Sequence, residues 1–117
     1  MPSVKIYKVK TISCAHKLGL PYKSKCNEIH GHNYKIEVWA EGELNTEKMV
    51  LDYSIIGETI EMYDHKFLND LFQPATSEMF ACELLRELKK RARKANPTAK
   101  FIVRVWETGS SYAEATW

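Results

Sequence analysis

The chain has 117 residues, 44% hydrophobic and 11% aromatic, with 17 Lys and Arg against 15 Asp and Glu for a net charge of +2. That is one domain's worth of chain, spanning 1–117, able to bury a core and too apolar to be a disordered tract. The charge is too small to argue for nucleic acid, and no apolar run nears the ~20 residues that cross a bilayer. Three cysteines at irregular spacing exclude a disulfide framework and place the chain in a reducing, cytoplasmic setting. The N-terminus has no apolar h-region, so no signal peptide is expected.

Residues 3–15 read as a strand rich in Val, Ile, Tyr and Thr. Its alternation is out of phase, with Val4 and Ile6 on one parity and Tyr7 and Val9 on the other, which a bulge or burial on both faces would explain. Residues 17–29, with Gly19 and Pro21, read as a loop. From 32 to 41 the alternation is clean: His32, Tyr34, Ile36, Val38 and Ala40 share one face, while Asn33, Lys35, Glu37 and Glu41 point away. His32 thus stands at the end of a buried face.

Residues 42–48 connect to a helix that Asp52 or Ser54 could cap and that runs to about Tyr63, with Ile56, Ile60 and Tyr63 at helical spacing. Pro74-Ala75-Thr76-Ser77-Glu78 predicts a second start: a hydroxyl cap with an acid in the first turn. That helix should cover 77–93 with an inner stripe of Phe80, Ala81, Leu84, Leu85 and Leu88. Its basic end, Lys89 to Lys94, suits the helix dipole and reads as a solvated terminus. Period two returns at Phe101, Val103, Val105 and Glu107, a turn follows at Gly109, and a last strand covers 111–117. Strands and paired helices in separate runs predict an α+β domain with an antiparallel sheet. Its open edges predict sheet continuation between subunits.

All four histidines are placed for chemistry. His30 and His32 are two apart on a strand and share a face, and with His16 they offer three imidazoles. Three neutral imidazoles and one open position make a catalytic zinc site, although iron, cobalt and nickel also take nitrogen donors. Cys26 has three open readings: a fourth ligand that closes the site, an unligated thiol that moves a proton, or a small apolar filler. Asp64-His65 is either an ordinary helix-end pair or part of a proton relay. Glu107 ends an apolar parity, where a carboxylate is costly unless two parallel N–H donors satisfy it or the strand ends early. Lys17, Lys23 and Lys25 bracket the cysteine and histidine positions.

Ser13-Cys14-Ala15-His16, Cys26-Asn27-Glu28-Ile29-His30-Gly31-His32-Asn33-Tyr34, Asp64-His65, Thr76-Ser77-Glu78 and Glu107-Thr108 occur in one order from residue 4 to the C-terminus. Together they resemble the 6-pyruvoyl-tetrahydropterin synthase / 6-carboxytetrahydropterin synthase family. The resemblance implies the tunnelling fold, a four-stranded antiparallel sheet with two helices on one face, whose subunits close a barrel as trimers that commonly stack as hexamers. It implies zinc on His16, His30 and His32, and Cys26 as base with Asp64 and His65 completing a relay from a neighbouring subunit. Glu107 would anchor a pterin, with the Thr76-Ser77 segment lining its pocket and the lysines as phosphate contacts. The family's substrate is 7,8-dihydroneopterin triphosphate. Three residues between Cys26 and His30, together with the Glu107-Thr108 segment and the Ser-rich turn after it, resemble the carboxy-forming branch, a carbon–carbon lyase on the route to 7-deazaguanine compounds and queuosine. Cys14, where alanine or serine is more usual, and Lys17, where arginine often stands, are mild departures.

Overall fold

The computed structural model describes residues 2–117. Four strands form one sheet in the order β1 (Val4–His16), β2 (His30–Gly42), β3 (Lys100–Thr108), β4 (Ser111–Thr116), every neighbouring pair antiparallel. Two helices, α1 (Tyr53–Glu61) and α2 (Ser77–Ala92), lie between β2 and β3 in sequence. This is the expected α+β architecture.

One parity of each inner strand packs against the helices. Ile12 and Cys14 of β1, Tyr34, Ile36, Val38 and Ala40 of β2, and Phe101, Val103 and Val105 of β3 are all buried. They meet Ile56 and Ile60 of α1 and the stripe Phe80, Ala81, Leu84, Leu85, Leu88 of α2. Each large apolar side chain so removed from water contributes about 1.5–3 kcal/mol, and this seam holds the helices on one face. Both helix starts are capped as predicted: Ser54 N donates to Asp52 Oδ1 at 2.9 Å and Met79 N to Thr76 Oγ1 at 3.1 Å.

The imperfect phase of β1 has a different cause from the bulge considered above. Its pairing with β2 is continuous from Val4↔Gly42 to His16↔His30. Tyr7 and Val9 instead face the helix-free side, where they stay 43% and 41% exposed. The irregularity falls on the other edge of the sheet, where the β3–β4 register shifts between Trp106 and Thr108, at Glu107.

The helix-free face is built of rings and charges. Glu37 accepts from Tyr7 Oη and from Trp106 Nε1, each at 2.6 Å, so it is nearly buried although it points away from the core. The Arg104 guanidinium lies 5.0 Å from the Trp39 ring centre and 4.4 Å from that of Tyr112, and its Nε donates to Glu114 at 2.8 Å. Part of the β1 edge is covered: His65 N donates to Ser13 O at 2.7 Å, Ala15 N donates to Lys66 O at 3.0 Å, and Phe67 bridges Ala15 in parallel.

Candidate metal centre and flanking clefts

Strand pairing assembles the centre. His16 ends β1 and His30 begins β2, and the two are direct Cα partners. His32 follows two residues on, on the same face. The ring centres lie 4.4 Å (His16–His30), 5.1 Å (His16–His32) and 5.0 Å (His30–His32) apart. Glu107 joins from the irregular end of β3, and among the described residues one donor atom from each of these four lies within 4.8 Å of the others.

Hydrogen bonds aim two of the rings. His16 Nδ1 lies 2.6 Å from Ala75 O and His30 Nδ1 lies 2.7 Å from Glu28 O. A carbonyl only accepts, so each Nδ1 carries the hydrogen and each Nε2 keeps its lone pair for the centre. His16 Nε2 and His32 Nε2 are buried with no hydrogen-bond partner among the described residues. His32 Nε2 does lie 3.1 Å from Glu107 Oε1, a separation that counts as an ion pair only if the ring is charged. Burial pushes the His32 pKa down; Glu107 opposes that, while His16 and His30 lower it further. The net direction favours neutral imidazole, the metal-binding form. Three converging imidazoles, one buried and two half-buried, two of them with an orphaned Nε2, beside one carboxylate, fit a divalent cation that accepts nitrogen.

Cys26 sits half-buried in a single-turn 3-10 helix, Lys25–Asn27, capped by Ser24, and it lies outside the four-residue donor group. Its backbone carbonyl accepts from Leu18 N at 2.7 Å, tying the 17–29 loop down beside the strand ends. Asp64 and His65 do touch each other, at 3.0 Å between Asp64 Oδ1 and His65 Nδ1. Neighbours in sequence achieve this because His65 adopts φ of 59°, in the left-handed region. Ser13 N donates to the same aspartate oxygen at 2.9 Å. That bond and the His65 side chain, against partial desolvation, hold the Asp64 carboxyl below its usual pKa. The His65 side chain is 81% exposed and lies outside the donor group.

Two clefts flank the centre. One, of about 450 Å³, is bordered by Ser13, His32, Asn33, His65 and Lys66. The other, of about 410 Å³, lies between α2 and β4 and is lined by Ser77, Glu78, Cys82, Glu107 and Tyr112. Glu107 therefore belongs both to the donor group and to a cleft wall. Ser77 lines that cleft, whereas the Thr76 hydroxyl is committed to capping α2. Cys14, read as a filler, is buried with its thiol donating to Tyr63 O at 3.1 Å, and desolvation pushes its pKa up to about 12. The involvement of Glu107 with His32 was not legible in the sequence beyond its odd place on an apolar parity.

The profile of the 6-pyruvoyl tetrahydropterin synthase family matches residues 5–116. The chain belongs to this family. It is 34% identical over 140 aligned positions, 96% of this chain and 89% of the relative, to a Pyrococcus horikoshii protein provisionally named 6-carboxy-5,6,7,8-tetrahydropterin synthase. It is 28% identical to the Haemophilus influenzae 6-carboxy-5,6,7,8-tetrahydropterin synthase, covering 94% of this chain and 96% of that one. Among solved structures it resembles the Caenorhabditis elegans 6-pyruvoyl tetrahydropterin synthase with a TM-score of 0.79 and 27% identity, covering 100% of this chain and 97% of the other. Among the described residues of this family member, no helix is long and apolar enough to cross a membrane.

Proposed function

We propose that the chain is a zinc-dependent lyase that converts 7,8-dihydroneopterin triphosphate to 6-carboxy-5,6,7,8-tetrahydropterin with release of acetaldehyde and triphosphate, in 7-deazaguanine and queuosine biosynthesis. The observation that carries this is the donor group itself: His16, His30 and His32 converge, the Nε2 atoms of His16 and His32 are buried without a partner among the described residues, and Cys26 stays outside. A thiol outside the ligand set is kept for proton transfer, and with Glu107 given to the pterin rather than to the metal, three imidazoles leave the site open.

A zinc ion held by the three imidazoles would polarise the side-chain hydroxyls of the substrate and acidify the adjacent carbon. Cys26 takes the proton from that carbon. Asp64 and His65 from a neighbouring subunit accept and return protons, which suits a pair that turns outward in one chain at 81% exposure of the His65 side chain. Glu107 offers two carboxylate oxygens to the 2-amino and ring N–H edge of the pterin, and Ser77 contributes the opposite wall of the same cleft. The remaining open edges, β4 and the N-terminal half of β1, fit closure into a barrel of three chains, and two such barrels would stack as a hexamer. A cytoplasmic setting fits the three unpaired cysteines.

Turnover of 7,8-dihydroneopterin triphosphate by zinc-loaded protein, followed by mass spectrometry, is the test. A carboxypterin with acetaldehyde is the expected outcome. A diketo side chain would move the protein to the pyruvoyl-forming branch, a reading the C. elegans likeness favours. Cys26→Ala should keep metal and fold and lose turnover. If it loses zinc instead, the thiol is a ligand and the site a closed structural one.

A further inference from the structure

Tyr34 is wholly buried, yet its hydroxyl has no hydrogen-bond partner among the described residues. Packing explains the ring and not the oxygen. The ring meets Phe80 edge-on at 5.3 Å, His32 at 5.4 Å and His16 at 5.9 Å, contacts that phenylalanine would make equally well. A buried hydroxyl without a partner is destabilising, and such groups in folded chains call for a reason.

Its place suggests one. Tyr34 lies two residues beyond His32 on the same face of β2. The register Lys35↔Trp106 and Ile36↔Val105, carried one step further, sets it level with Glu107. The phenol thus stands behind two of the converging imidazoles and beside the carboxylate strand, and Glu107 Oε1 is turned to His32 instead. We infer that Tyr34 is a positioning residue of the histidine cluster, its hydroxyl donating a hydrogen bond to an oxygen atom brought in where the imidazoles leave the cluster open. That oxygen belongs to a water or to a hydroxyl on the pterin side chain. The inference rests on reading the cluster as a metal centre.

Tyr34→Phe removes only the oxygen, and Co2+ alone is the first probe. Without metal, the variant should melt at the wild-type temperature or above it; a lower temperature would reveal a structural partner and overturn the inference. If the oxygen is that of water, Co2+ binding should weaken by about tenfold, in line with loss of an outer-shell partner. The pH midpoint of the cobalt absorption change should also rise, because the lost donor favoured the ionised water. If the oxygen is the ligand's, both cobalt readouts stay put and the Kd of neopterin on the cobalt-loaded protein rises by about tenfold, roughly one such bond. A variant equal to wild type in all these readouts would reduce Tyr34 to a packing residue. A wild-type chain that binds no Co2+ would sink the metal centre itself, and this inference with it.

Discussion

Asn96→Ala should cost the fold heavily and leave the metal centre alone. Asn96 is 5% exposed and sits in the turn between α2 and β3. Its Nδ2 donates to Val50 O at 2.9 Å and to Glu43 O at 2.7 Å, and its Oδ1 accepts from Thr98 N at 3.1 Å and from Thr98 Oγ1 at 2.6 Å. One side chain thereby ties the β2–α1 connector to the start of β3. The bond to Val50 O is buried, so its carbonyl would bear the full penalty of an unmet acceptor, about 1–3 kcal/mol. Glu43 O is better placed to regain water, and its lost bond is worth about 0.5–1.5 kcal/mol. The Thr98 groups rebond to solvent at little cost. The sum is about 1.5–4.5 kcal/mol. At an unfolding entropy of ~2.1 cal/mol/K per residue, a chain of this length should melt about 6–18 °C lower. Thermal melts of metal-free protein at one fixed concentration measure this, since association also shifts Tm. The clamp and the histidines sit at opposite ends of β2, a strand of 13 residues, so Co2+ affinity should not change. A loss below 1 kcal/mol, or a parallel loss of Co2+ binding, would refute this accounting.

Two further outcomes follow from charge and burial. Glu37 is held below the usual carboxylate pKa: burial opposes ionisation, but the bonds from Tyr7 and Trp106 and the charges of Lys35 and Arg104 outweigh it. A lowered folded-state pKa contributes stability that is present above the unfolded value of about 4.3 and fades as pH falls through the folded value. Glu37→Gln should therefore flatten the acid limb of a stability-against-pH curve, and an unchanged limb would count against the carboxylate's role. Cys14, with its pKa at about 12 and its thiol on Tyr63 O, should resist iodoacetamide at pH 8 while exposed Cys82 reacts; mass mapping of the alkylated sites decides it.

Much of the fold was legible because single faces are buried. The 32–41 alternation and the Phe80-to-Leu88 stripe each have one apolar side, and period alone identifies strand and helix. β1 was harder because Tyr7 and Val9 are apolar on the face without helices, so the pattern carries two signals at once. For the site, His-x-His on a strand announced itself, and the oddity of Glu107 marked a special position without naming His32 as its neighbour. The Asp64–His65 contact could not be read, since it accompanies a left-handed backbone at His65 that no local pattern marks. Glu37 was placed on the correct face, but its burial comes from Tyr7 and Trp106, 30 and 69 positions away in sequence. Nothing local encodes that. The orphan hydroxyl of Tyr34 is likewise a property of three strands and a helix together.

His16 hangs from the carbonyl of Ala75, one position ahead of the residue that caps α2. Strand β1 fixes where this imidazole stands, but the joint before the helix fixes where it looks. Changing the length of the 64–76 linker would swing the ring without altering any donor. The stretch most able to retune what the cluster grips thus contains none of the atoms that do the gripping.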